Sequence, residues 1–180
     1  MERLEALREK CNICHKCPLG DTRKNLVFGT GDPRARIMFV GEAPGEREDE
    51  TGVPFVGAAG QLFDRYLFAL DMKREDVYIC NILKCRPPKN RDPLPIEEDA
   101  CIEYLREQIE IVDPEIIVCL GRVSAKRLIN ENFMITRDHG KFYEMHGRTY
   151  CAVYHPSALL RDPSKKWDFF DDMKIIKEKL

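Results

Sequence analysis

Four short apolar runs punctuate the chain: Arg36 to Val40, Val77 to Ile82, Glu115 to Leu120 and Tyr150 to Tyr154. Their length and bulk predict buried strands. Between and after them the apolar spacing changes to that of helices. Gly57 to Leu70 is one such segment. In Ile96 to Val112, Cys101, Leu105, Ile109 and Val112 recur at helical spacing behind the acids Glu97, Glu98 and Asp99, which suit the positive end of a helix dipole. Arg122 to Asn130 is a third, and Trp167 to Leu180 a fourth, in which Trp167, Phe170, Met173 and Ile176 are expected to face inward. Strands alternating with helices predict an α/β fold with a parallel sheet covered on both faces. Gly140 to Tyr143, with the turn at His146-Gly147, predicts a hairpin before the last strand. There is no internal repeat, and one domain spanning residues 1–180 is expected.

The unusual sequence follows the strands. Gly41-Glu42-Ala43-Pro44-Gly45 comes after the first, Asn81 ends the second with Lys84-Cys85-Arg86-Pro87-Pro88 just beyond it, Gly121-Arg122 follows the third, and His155-Pro156-Ser157 the fourth. Open parallel sheets bind ligands at the carboxyl ends of their strands. The pattern therefore points to one site at that edge.

Composition narrows the class. Hydrophobic residues make up 43% and charged residues 33% of the 180, which excludes a disordered chain. No run approaches the roughly 20 apolar residues of a membrane span, and Met1 to Lys10 lacks an apolar signal region, so an intracellular, cytoplasmic protein without a membrane association is expected. The net charge of −2 is uninformative, but its distribution is not. Residues 121–166 hold nine Lys or Arg against four Asp or Glu, whereas residues 96–115 hold eight acids and one base, Arg106. Such polarisation can present a basic face to phosphates.

Eight cysteines in a chain without an export signal favour metal or cluster ligation over disulfides. Cys11, Cys14 and Cys17 form a C-x2-C-x2-C run, and Cys85 and Cys101 lie far downstream. Cys80, Cys119 and Cys151 sit inside strand segments and read as small core residues. Spacing alone selects neither two ligands from Cys11, Cys14 and Cys17 nor iron over zinc.

Taken together, Gly41-Glu42-Ala43-Pro44-Gly45, Thr51-Gly52-Val53-Pro54-Phe55-Val56-Gly57, Asn81-Ile82-Leu83-Lys84-Cys85-Arg86-Pro87-Pro88 and His155-Pro156-Ser157 resemble the iron–sulfur uracil-DNA glycosylases called family 4. The resemblance runs from about Cys14 to Arg161. It implies a three-layer α/β/α fold around a four-stranded parallel sheet. It implies a [4Fe–4S] cluster at Cys14, Cys17, Cys85 and Cys101, with Cys11 an extra thiol in the same turn. It also implies a monofunctional DNA-repair enzyme that flips uracil out of single- or double-stranded DNA and hydrolyses its N-glycosidic bond. A monomer is expected, with a processivity clamp as a candidate partner.

Chemistry assigns tasks to the motif residues. An amide held in one orientation can pair with the O4 acceptor and N3 donor of uracil and reject cytosine, and Asn81 is the candidate. Phe55 would stack on the base. Bond cleavage leaves negative charge on uracil, which His155 and main-chain N–H groups around Ala43 and Gly45 would stabilise. Many uracil glycosylases carry an Asp where this chain has Ala43, so the water-positioning carboxylate is Glu42 or Glu48. Ser157 is a candidate for a phosphate contact, Leu159, Leu160 and Arg161 for a wedge into the base stack, and Lys84 and Arg86 for a basic loop that the cluster would shape. Two rivals stand beside this reading: a zinc-stapled nucleotide hydrolase, and a domain that binds damaged or single-stranded DNA without cleaving it.

Overall fold

The computed structural model describes residues 1–180. The chain forms a six-stranded sheet from β1 (Thr30–Gly31), β2 (Ile37–Gly41), β3 (Tyr78–Asn81), β4 (Ile116–Leu120), β5 (Phe142–Met145) and β6 (Arg148–Val153), in the order β1-β3-β2-β4-β6-β5. The four expected strands are the middle of this sheet and are parallel. The two short edge strands β1 and β5 are antiparallel. The His146-Gly147 turn joins β5 to β6 with φ of 51° and 74°, the positive pair that a tight hairpin requires.

Alternation along the buried strands divides the core between two faces. Ile37, Phe39, Ile79, Val118 and Val153 point to one face, where they meet Phe63, Leu67, Leu159, Phe169, Met173 and Ile176. These come from α4 (Ala58–Ala69), α8 (Pro156–Arg161) and α9 (Lys166–Glu178). Met38, Val40, Tyr78, Cys80 and Ile117 point to the other, against Ile102, Leu105, Ile109 and Val112 of α5 (Pro95–Val112). Helix α6 (Arg122–Leu128) lies on this second face, where its Ala125 joins Cys119 and Ala152. Helix α1 (Glu2–Asn12) packs on α5 from outside, and α2 (Leu19–Thr22) and α7 (Ile135–Asp138) are single turns in the connections. No helix is long and apolar enough to cross a membrane.

Local chemistry sets the boundaries. Helix α5 starts with Pro95, whose missing N–H costs nothing in the first turn, and Glu97 reaches back to the Leu94 N–H at 2.9 Å. The same carboxylate takes a bidentate grip from Arg91 at 2.6 and 2.9 Å. At the C-terminal helix Met173 and Ile176 face the core and Phe170 packs against it in part, as expected, but Trp167 does not. Trp167 is 76% exposed, and Phe169, Met173 and Ile176 form the inward stripe at i, i+4 and i+7. Trp167, two residues before Phe169, falls on the opposite side.

Two expected DNA contacts are corrected by burial. Lys84 has no exposed surface; its Nζ donates to the Asn81 carbonyl at 2.7 Å and to Gln108 Oε1 at 2.5 Å, so it cannot reach a phosphate. Leu159 is equally buried, packed in the core beside Phe63 and Phe169, and cannot act as a wedge.

Candidate active site

The carboxyl ends of β2, β3, β4 and β6 open into one cavity of about 690 Å³. Glu42, Ala43, Gly45, Glu48, Phe55 and Asn81 line it, and so do His155, Ser157 and Arg161. Residues expected from four separate motifs are therefore neighbours.

Asn81 closes β3 and is 2% exposed. Its Oδ1 is buried with no hydrogen-bond partner, an arrangement that costs free energy unless a ligand completes it. The main chain around it is fixed, because the Ile82 N–H donates to the Gly41 carbonyl at 3.0 Å and the Lys84 ammonium holds the Asn81 carbonyl. Gly41 must be glycine here. A Cβ at this position would lie 2.3 Å from Asn81 Oδ1 and 2.5 Å from the Phe55 ring.

Phe55 joins the core and lines the cavity. Its backbone has φ of 53°, a left-handed conformation that a bulky side chain adopts only when its surroundings impose it. Arg74 imposes it, donating to the Phe55 carbonyl at 2.9 Å, to the Pro54 carbonyl, and to Asp64 at 2.8 Å. Gly60 lets the helix that follows approach, since a Cβ there would meet the Phe55 carbonyl at 2.0 Å. Nothing local in the sequence marks Arg74 for this task.

His155 caps α8. Its Nδ1 accepts from the Ser157 main-chain N–H at 3.0 Å and lies 2.7 Å from the Ser157 hydroxyl. A main-chain N–H can only donate, so Nδ1 is the acceptor and the ring proton sits on Nε2. Burial, with the nearby Arg161 charge, pushes the imidazole pKa down to about 4, so the ring is neutral at physiological pH. Ser157 thus gives its hydroxyl to His155, and a phosphate contact would have to break that bond.

The two acidic candidates differ. Glu48, on α3 (Glu46–Thr51), is held by the loop that carries Phe55, its Oε1 accepting from the N–H groups of Val56 at 3.0 Å and Gly57 at 2.9 Å. Glu42 is half-buried at the cavity, and burial, helped by the Asp92 carboxylate, pushes its pKa up to about 7 against the opposing pull of Arg122. Arg122 pairs with Asp92 at 2.5 Å. Asp92 and Arg122 also line the cavity, and no reading of local sequence had placed Asp92 there.

At the rim, Arg161 is exposed and Leu160 is 48% exposed. Arg86 lies outside the cavity lining, bonded to Asn90 Oδ1 at 2.8 Å. With Arg161 as a phosphate contact, Arg161→Ala should weaken DNA binding alike for every sequence and flatten the salt slope by about one unit. A titration of binding against salt checks this, and an unchanged slope would remove Arg161 from the interface.

The cysteines gather elsewhere. Cys11, Cys14, Cys17, Cys85 and Cys101 line one small cavity between α1, α5 and the loop after β3. Burial pushes the Cys85 and Cys101 thiols up, and it is opposed by the Arg23 guanidinium at 3.2 Å from Cys85 Sγ and the Lys84 main-chain N–H at 3.4 Å from Cys101 Sγ. Cys11 is 1% exposed and packs with Leu7, Phe28 and Tyr104. Five thiols thus converge on one cavity, the donor type a cluster would need, although no three of them are placed to hold a metal ion. Cys80, Cys119 and Cys151 are fully buried in the sheet, as expected.

The model of the Uracil DNA glycosylase superfamily matches residues 28–178, and the chain belongs to that superfamily. Within it, the resemblance is strong to type-4 proteins. The chain is 46% identical to the type-4 uracil-DNA glycosylase of Archaeoglobus fulgidus, over 99% of this chain and 94% of that one. It is 44% identical to the type-4 uracil-DNA glycosylase of Thermotoga maritima, over 92% and 87%. A type-5 uracil-DNA glycosylase of Pyrobaculum aerophilum is 36% identical over 72% of this chain and 64% of its own length. The superfamily match begins after Cys17, whereas the first of these type-4 likenesses spans almost the whole chain.

Proposed function

We propose that this chain excises uracil from DNA as a type-4 uracil-DNA glycosylase, hydrolysing the N-glycosidic bond of a flipped nucleotide and leaving an abasic site. The observation that carries the reading is the buried, unpartnered Oδ1 of Asn81 beside the Phe55 ring, at the end of a strand. Uracil N3–H supplies the missing donor, and the Asn81 amide N–H meets O4. Cytosine presents the opposite pattern and leaves buried groups unpaired, at about 1–3 kcal/mol each. Phe55 provides the stacking face. The extruded base reaches the cavity because chemistry on a stacked base is sterically closed.

The neutral His155 donates Nε2–H to uracil O2, where negative charge grows as the bond breaks. A neutral donor strengthens as the charge develops and keeps one protonation state at working pH. The N–H groups of Ala43 and Gly45, which have no internal acceptor, assist. Glu42 is assigned to the water and to the cationic sugar, and Glu48 to holding the Phe55 loop. The chain acts as one domain, as an intracellular monomer on single- or double-stranded DNA, with a processivity clamp a candidate partner.

Cys14, Cys17, Cys85 and Cys101 would hold a [4Fe–4S] cluster, which supplies a covalent tie between the N-terminal turn, the loop after β3 and α5. Hydrolysis of a glycosidic bond requires no electron transfer from it.

The direct test is a labelled uracil-containing oligonucleotide, incubated and then cleaved with alkali at abasic sites. Uncut DNA with a folded protein would sink the proposal. A second test uses pH. Glu42 works as the carboxylate, so with its pKa at about 7 activity should rise with pH through that value and fall below it. Glu42→Gln should lower kcat by about 10²–10⁴ and remove the acid limb. A limb that survives in Glu42→Gln assigns the titration to another group.

A further inference from the structure

Lys84 presents an energetic problem. Its ammonium is fully buried, and burying a charge is costly unless an opposite charge or strong hydrogen bonds offset it. Its two acceptors, the Asn81 carbonyl and Gln108 Oε1, are both neutral. Gln108 is itself fixed, donating from Nε2 to the Phe28 carbonyl at 2.9 Å and to the Tyr78 hydroxyl at 3.1 Å, so its Oε1 can only face the lysine. Lys84 forms no ion pair with any of the chain's carboxylates; the Phe28 ring lies 6.0 Å from its Nζ, and the cavity beside it is lined by thiols. Lys84 lines the cysteine cavity with Cys11, Cys85 and Cys101, and its own N–H points at Cys101 Sγ. A cluster held by four thiolates carries net negative charge at that place.

We propose that Lys84 is the internal counter-ion of the cysteine-held cluster and, through its bond to the Asn81 carbonyl, a positioning residue for the uracil-reading amide. This rests on the cluster and on the Asn81 assignment above. One side chain then spans two sites: its charge faces the thiolates, and its donor fixes the strand end from which the Asn81 side chain projects. The cavity that reads the base and the cavity that holds the cysteines share no catalytic group, and Lys84 joins them through the core.

The test uses Lys84→Met, neutral and similar in length, and Gln108→Glu, which places a carboxylate against the same ammonium. Iron and sulfide are measured first in parent and variants purified without oxygen. A counter-ion eases reduction, because the added electron is stabilised by nearby positive charge. Both variants should therefore lower the cluster's reduction potential. Lys84→Met should also lower kcat for uracil by about tenfold, while KM for DNA and the salt slope stay at parental values, because Nζ cannot meet a phosphate. Unchanged potentials in both variants would overturn the counter-ion, and an unchanged kcat in Lys84→Met would overturn the positioning role. A changed salt slope would make Lys84 a DNA contact instead. Should Lys84→Met fail to fold, the potential of Gln108→Glu decides the counter-ion and the uracil-to-cytosine preference of that variant decides the coupling to Asn81: unaltered preference overturns it. A colourless parent defeats the cluster reading itself, an outcome distinct from any of these.

Discussion

Asn81→Asp should lower uracil excision by about 10²–10⁴, the loss expected when one or two buried polar contacts disappear from the transition state. A carboxylate cannot donate to uracil O4 and repels it. The same carboxylate accepts from the cytosine amino group, so the uracil-to-cytosine preference should shift toward cytosine. The surroundings make this a stringent substitution. Oδ1 already lies in a space too tight for a Cβ on Gly41, and the main chain is held from both sides, so the side chain cannot retreat from the base. His155→Ala, by contrast, should slow cleavage with little change in base preference, since it acts on charge common to any departing base. Oligonucleotides carrying uracil or cytosine at one position separate the two variants. Full uracil activity in a folded Asn81→Asp protein would place recognition elsewhere.

The sheet was legible because four buried parallel strands are short apolar runs on both faces, and such runs survive any helix arrangement. The edge strand β5 was legible through its His146-Gly147 turn, whereas β1 was not: it is two residues long, and its Gly31 is tied to β3 by backbone alone. The site was legible as a place, since motif residues lie just past the strands, and Glu42, Asn81 and His155 meet in one cavity.

Which way a side chain points was less legible. Leu159 and Leu160 are adjacent in sequence, yet α8 turns one into the core and leaves the other half exposed, a difference set by how the helix docks on α4. Lys84 sits in a Pro-rich basic segment, and local charge suggested a surface loop. Only the closure of that loop over α5 and Gln108 buries it. Glu42 and Glu48 were indistinguishable as letters. They separate because the Phe55 loop folds back onto Glu48 and gives it two N–H donors. Arg74 and Asp92 act through partners ten or more residues away, and no short window contains that information.

Protein purified without oxygen should be brown, with iron and acid-labile sulfide near about four each per chain. Cys85→Ala and Cys101→Ala should each lose the colour and, with it, solubility. The reason is structural. Cys85 lies in the loop that leads from Asn81 toward Pro88–Asn90, and Cys101 lies on α5, the helix that covers one face of the sheet. Without a group tying them to the turn at Cys14 and Cys17, α1 and that turn keep their packing on α5 and Phe28 and the exposed ion pairs Lys10–Glu107 and Lys16–Glu103, which contribute little. Metal-ligand bonds of this kind contribute directly to folding free energy. Cys11→Ala should keep the colour. Its thiol is packed among Leu7, Phe28 and Tyr104, and replacing it removes one buried sulfur at a cost of about 1–2 kcal/mol, read as a lower melting temperature. Loss of iron in Cys11→Ala would move the first ligand to that position. A colourless parent with one zinc per chain would replace the cluster with a tetrahedral ion.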